Sequence, residues 1–297
     1  AIRNKAPKNA RVYKLLGTAY VLFNHEEEAL IELNRACELD PTDVENHFNL
    51  GGLYLLRDMF SNAADAFEKV IEMDPTDTTA YANVAAAYDM LKLYDKEIVA
   101  LRKELMFDPE NKELRAALSN AYFHAGRHEE AIDAALCVVD IDEKDPQAYC
   151  NLGSCYSVCN MIDDAIAAFK KASELAPDYS LPHTNLGTLY ANMGRSETAI
   201  KSFKTAVSLN AADIGAWMNL YIYYKEVGLA EESQAAYQKY EALMNEAPPS
   251  ATTEGANPSN IPGGVSQTSK YSGGGDMEGN APGMESLADT DDEGESR

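Results

Sequence analysis

Residues 44–77 read VENHFNLGGLYLLRDMFSNAADAFEKVIEMDPTD, and the same spacing of apolar, small and aromatic residues returns every 34 residues from Ala10 to Ala247. With position 1 placed at residues 10, 44, 78, 112, 146, 180 and 214, positions 7, 8 and 11 of this stretch are Leu50, Gly51 and Tyr54. The other blocks give Leu16, Gly17, Tyr20; Val84, Ala85, Tyr88; Leu118, Ser119, Tyr122; Leu152, Gly153, Tyr156; Leu186, Gly187, Tyr190; and Leu220, Tyr221, Tyr224. Self-similarity at such a period marks stacked supersecondary units, none of which can bury its apolar face alone.

Positions 4, 7, 8 and 11 follow the i, i+3, i+4, i+7 rule and lie on one face of a first helix, A. Position 15 then holds a residue suited to a left-handed or turn conformation: Asn24, Asp58, Gly126, Asn160, Gly194 and Gly228, with Lys92 breaking the rule. Positions 20, 24 and 27, such as Ala165, Phe169 and Ala172, form the face of a second helix, B. It ends before Pro41, Pro75, Pro109 and Pro177, because proline cannot continue a helix and leaves the preceding residue extended. Small residues at positions 8 and 20 allow two antiparallel helices to approach closely, with large residues opposite filling the gap.

These residues resemble the tetratricopeptide repeat family, whose motif places Trp, Leu, Gly, Tyr, Ala, Phe, Ala and Pro at these positions; block two carries Leu50, Gly51, Tyr54, Ala63, Phe67 and Pro75. The resemblance spans residues 10–247 and implies an all-α, right-handed α-solenoid of antiparallel helix pairs in seven blocks: 10–43, 44–77, 78–111, 112–145, 146–179, 180–213 and 214–247. Departures are local: Glu97 stands where a small residue is expected, Glu143 replaces the terminal proline, and Tyr221 and Ser233 make the seventh block atypical.

The 297 residues carry 48 acidic and 25 basic side chains, a formal net charge of −23, which excludes a generic nucleic-acid or anionic-membrane binder. No apolar run approaches the roughly 18 to 20 residues that span a bilayer. Residues 1–9 form a lead-in that opens on Ala1 without a signal-peptide core and reads as truncated. Five cysteines, Cys37, Cys137, Cys150, Cys155 and Cys159, fit a reducing, cytoplasmic compartment. Their spacing is neither CxxC nor a zinc ladder, so they read as core thiols rather than a metal or redox site. His124 and His128 straddle a turn and read as solvated. From Pro248 on, nine acidic and two basic residues sit among Gly, Ser, Asn and Pro. Such a composition reads as a disordered tail, either solubilising or an arm for a basic partner or for the array itself.

There is no nucleophile constellation, phosphate loop, dinucleotide fingerprint or zinc motif, so neither catalysis nor a cofactor is expected. The resemblance places helix A on a concave face, with positions 2, 5, 6, 9, 12 and 13 projecting into the groove. Position 6 reads Leu15, Asn49, Asn83, Ala117, Asn151, Asn185 and Asn219. An amide both donates and accepts, which suits the backbone of an extended peptide, and the series looks like the asparagine ladder of family members that hold extended segments. Asn is also the family's habitual residue there. Val21, Leu22, Phe48, Leu55, Leu56, Met90 and Phe123 add an apolar strip in blocks one to four, to anchor a partner or to be covered by an upstream segment. Ser154, Ser157, Thr184, Thr188, Asn192, Lys225 and Glu226 give blocks five to seven a polar lining. Family members that clamp a chaperone's C-terminal carboxylate need Lys and Arg at positions 2 and 6 of one block. Position 2 here reads Arg11, Glu45, Thr79, Glu113, Gln147, Leu181 and Gly215, and position 6 has no Arg, so that clamp is not assembled.

The residues thus point to a non-catalytic adaptor that holds an extended or helical segment of a protein partner. The alternatives are a self-assembling scaffold that docks through Trp217, Tyr221, Tyr223, Tyr237 and Tyr240 of block seven, and a regulatory array from a larger enzyme such as a glycosyltransferase.

Overall fold

A computed structural model describes residues 9–246; the acidic tail and the first eight residues lie outside the described residues. Fourteen helices follow one another, with no strand among the described residues. The A helices are α1 (Ala10–Leu22), α3 (Val44–Leu56), α5 (Thr78–Met90), α7 (Lys112–His124), α9 (Pro146–Val158), α11 (Ser180–Asn192) and α13 (Ile214–Glu226). The B helices are α2 (Glu26–Leu39), α4 (Phe60–Met73), α6 (Tyr94–Leu105), α8 (His128–Ile141), α10 (Ile162–Leu175), α12 (Ser196–Leu209) and α14 (Ala230–Glu246). Each A helix is 13 residues long, and both series start at 34-residue intervals. The chain is an α-solenoid of antiparallel pairs.

Local chemistry explains the punctuation. Six A helices start behind Asn9, Asp43, Asp77, Asn111, Asp145 or Asp213, whose side-chain oxygen accepts from a backbone N–H of the first turn. At the other end, all seven residues at position 15 have positive φ. The N–H at position 16 donates back to the carbonyl of the position-11 tyrosine, as in Met59 to Tyr54 at 2.9 Å, which closes a Schellman motif. Lys92 obeys with φ 57 although its side chain disfavours that conformation. The register therefore overrides the residue, at a cost of roughly 1 kcal/mol. Lys92→Gly is expected to raise the melting temperature by a few degrees, and a fall in chemical-denaturation midpoint would contradict this account.

Inside a pair, position 8 meets position 24. A Cβ on Gly51 would lie 2.9 Å from the Phe67 ring and one on Gly187 2.5 Å from Phe203. Where position 24 shrinks to Leu101 or Ala135, position 8 grows to Ala85 or Ser119, and Ser119 donates to the Ala131 carbonyl at 2.9 Å. In the last pair Tyr221 and Tyr237 meet ring to ring at 5.2 Å.

Between pairs, positions 3 and 7 of an A helix pack on the preceding B helix, as Ala148 and Leu152 do on Ala135, Val138 and Val139. Positions 21 and 28 change character at the end of the array. Position 21 reads Leu30, Ala64, Ile98, Ile132, Ile166, Ile200 and then Gln234; position 28 reads Cys37, Ile71, Leu105, Val139, Ser173, Val207 and then Glu241. Both final residues are exposed, so the seventh pair presents polar side chains where the earlier B helices present mostly apolar ones.

The third pair is irregular. Its B helix, α6, is 12 residues long where α2, α4, α8, α10 and α12 have 14, and Met106 and Phe107 beyond it are exposed. Glu97 occupies the small-residue position, buried, with Oε2 lacking a hydrogen-bond partner.

Candidate protein-interaction surface

The A helices form one layer, because α1 touches α3, α3 touches α5, and the series α7, α9, α11, α13 touches likewise, whereas successive B helices make no comparable contact. A layer whose members approach more closely lies on the inside of the curve. Positions projecting from it are the candidate binding residues.

The apolar residues divide by depth. Leu22, Leu56 and Met90, the last residue of three successive A helices, are 78%, 58% and 55% exposed. Phe48, Leu55 and Phe123 are half-buried against the core, Phe48 meeting Phe67 edge-on at 5.5 Å. Val21 packs on the core of the first two pairs. The continuous strip is therefore a row of three open side chains on a partly filled floor.

The amides divide too. Asn49, Asn83, Asn151 and Asn219 are half-buried, but Asn185 is 3% exposed and donates towards Cys150 Sγ at 3.8 Å. It faces inward, which corrects its assignment to the groove lining. Ser154, Ser157 and Thr184 are buried as well, Ser154 donating to the Cys150 carbonyl and Thr184 to Asp213. Residues this small at positions 5, 9 and 12 let neighbouring A helices close over them, so they sit between helices instead of facing solvent. Thr188 is half-buried, while Asn192, Lys225 and Glu226 are exposed; the Lys225 ammonium sits 5.8 Å from the Tyr221 ring.

Tyr179 was not legible as a site residue. It stands where other A helices have a capping Asp or Asn, and it makes no side-chain cap. Its hydroxyl donates to Gln147 Oε1 at 2.5 Å, and Gln147 Nε2 donates to Asn151 Oδ1 at 2.8 Å. The ladder at block five is thus pinned by the chain itself. The signal available in the sequence was an aromatic residue at a position otherwise occupied by Asx.

All five cysteines are free. Burial pushes the Cys150 thiol up to about 12 and the Cys155 thiol up to about 11, so both stay protonated at neutral pH. No group of three or more His, Cys, Asp or Glu is placed to hold a metal among the described residues. His124 stacks on Tyr94 at 5.3 Å, and His128 is half-buried with Nδ1 shielded and edge-on to Phe123 at 5.7 Å. His128 is therefore not the solvated residue expected, because the turn folds it onto Phe123. No helix among the described residues is long and apolar enough to cross a membrane.

Family models described as tetratricopeptide repeat match residues 10–43, 44–77, 99–149, 146–179 and 168–201, together more than half of the chain. No curated protein is similar in sequence. Among solved structures, that of YrrB, described as a repeat protein of this kind with an unusual peptide-binding site, aligns with TM-score 0.50 and 22% identity over 62% of this chain and 95% of its own. An ArsTM double mutant of MamA RS-1 aligns with TM-score 0.50 and 22% identity over 57% and 95%. These likenesses concern the fold.

Proposed function

Because the chain belongs to the tetratricopeptide repeat family, we propose that it is a non-catalytic adaptor holding a segment of a partner protein against its A-helix layer, in a reducing compartment. The observation that carries this is the row Leu22, Leu56, Met90: three large apolar side chains left open at one position in three successive pairs. Helices packed side by side lie about 8–10 Å apart. That spacing fits apolar anchors about three residues apart in an extended segment. Asn49, Asn83 and Asn219 supply amides along the same layer for the segment's backbone.

The test is retention of a partner from native lysate by the full chain, with two sets of variants. Leu56→Ser with Met90→Ser alters the inner layer, and Ile31→Ser with Val99→Ser alters B-helix residues that are equally exposed. The expected result is a band lost at least tenfold by the first pair and kept by the second. Equal retention by both moves the function away from the A-helix layer.

A further inference from the structure

The edge along which each A helix turns into its B helix carries most of the exposed large apolar side chains of the last three pairs. Between residues 146 and 246 seven such side chains are exposed, and five of them, Val158, Met161, Met193, Val227 and Leu229, stand at positions 13, 14 or 16, beside the left-handed residue of the turn. The turn itself does not call for them. Met161 N–H donates to the Tyr156 carbonyl at 2.9 Å, and Arg127 N–H donates to the Tyr122 carbonyl at 2.9 Å from the same position. His124, Asn192 and Arg195 likewise fill these positions with polar side chains. Pairs five and six have neighbours on both sides, so the exposure there does not come from an end of the array. Because α9, α11 and α13 touch in turn, their three edges lie side by side on one rim.

Carboxylates border these apolar side chains. Asp163, Asp164, Glu197, Glu231 and Glu232, in the first turns of α10, α12 and α14, are exposed, as is Glu226 at the end of α13. The helix dipole favours an acid in a first turn, which accounts for the placement of five of them and leaves their charge facing solvent. Elsewhere the chain neutralises such charges itself: Arg57 holds Glu26 and Glu27, and Arg127 holds Glu130. The six acids of the last three pairs enter no ion pair among the described residues. Over positions 12–19 of these pairs the cations are Arg195 and Lys225, so six acids against two bases leave a net −4.

Open apolar surface beside unpaired negative charge defines what fits. A purely apolar partner would leave the carboxylates without counter-charge, and a purely basic one would leave the apolar side chains in water. We infer that the rim of pairs five to seven is a docking surface for a basic amphipathic helix of a partner protein, with Leu-type residues along one side and Lys or Arg beside them. Packed helices lie about 8–10 Å apart, close to the rise of two helical turns, about 10 Å. Apolar residues seven apart in such a helix therefore meet successive pairs. This surface is separate from the row Leu22, Leu56, Met90, because His124 and Arg127 interrupt the rim in the fourth pair. Either can fail without the other.

Fluorescence anisotropy of a labelled synthetic peptide, LKKLLKLLKKLLKL, titrated with the full chain tests the inference. Salt is held at about 150 mM, which screens exposed charges beyond about 8 Å. The expected result is saturable binding in the micromolar range. It should weaken at least tenfold in Met161→Ser with Met193→Ser and Leu229→Ser, and again in Asp163→Asn with Asp164→Asn, Glu231→Gln and Glu232→Gln. All seven residues are exposed, so helical circular dichroism should stay unchanged. Leu56→Ser with Met90→Ser should bind the peptide as the wild type does. Absence of binding overturns the inference. So does equal binding by every variant, which is the attraction of any polycation to a chain of net charge −23, and so does a loss confined to Leu56→Ser with Met90→Ser. Sedimentation of the chain with neutral phosphatidylcholine vesicles, abolished by the three serine substitutions, would make the rim a lipid contact and overturns it as well.

Discussion

Gly153→Leu lowers the melting temperature by about 5–10 °C, whereas Gly52→Leu leaves it unchanged or raises it. Both glycines lie inside A helices, one at position 8 and one at position 9, so helix propensity alone predicts a gain at both of up to about 1 kcal/mol. Surroundings separate them. A Cβ on Gly153 would sit 2.8 Å from two carbons of the Phe169 ring, and that ring is itself fully buried; around Gly52 nothing lies within 4 Å. Overpacking of this kind costs about 1–3 kcal/mol, and a domain of this size loses roughly 2–4 °C for each. The array contains its own compensation, since Ser119 faces Ala135 where Gly153 faces Phe169. Gly153→Ser combined with Phe169→Ala should therefore melt higher than Gly153→Ser alone. Equal melting of Gly153→Leu and Gly52→Leu would mean that the close approach at position 8 does not govern pair stability.

The helix pairs were legible because one periodicity states the same thing seven times. Position 15 gave the turn, and position 8 the close approach. Side-chain depth on the A-helix face was less legible, because it depends on what the neighbouring pair contributes. Asn49 and Asn185 share a position, yet Asn185 is buried beside Cys150 while Asn49 is half-open. Leu16 and Leu50 likewise share a position and differ in cover, because among the described residues only Leu50 has a B helix before it. A residue's offset within the repeat sets its direction, and the residue types on adjacent helices set its exposure. The irregular α6 end was also beyond the pattern, since Pro109 sits at the usual stop signal and the helix nevertheless ends four residues earlier, at Leu105.

Glu97→Ala is expected to stabilise the chain, and more at pH 8 than at pH 4. The position holds a fully buried alanine in Ala29, Ala63, Ala131, Ala165 and Ala199, so the smaller side chain fits the pair geometry without a new arrangement. Glu97 brings a carboxyl into that space with Oε2 unpartnered. Burial, with Asp89 nearby as a second cause, raises its pKa to about 7. In the unfolded chain it titrates near 4.5, so the fold favours the protonated form. Its contribution is fully present below about 4.5 and is lost as pH rises through 7, where the folded chain must either carry a buried charge or open. A gap of that size corresponds to at most about 3 kcal/mol. Glu104, on the same helix, also has a shielded Oε2 and is raised by burial, which adds to the slope in the same direction. Denaturation of the wild type and of Glu97→Ala at pH 4, 6 and 8 should show the variant's advantage growing with pH, and amide exchange in 94–105 should slow most at the highest pH. An advantage that is the same at pH 4 and pH 8 would show that the alanine acts through packing alone and that Glu97 is not ionised in the folded chain.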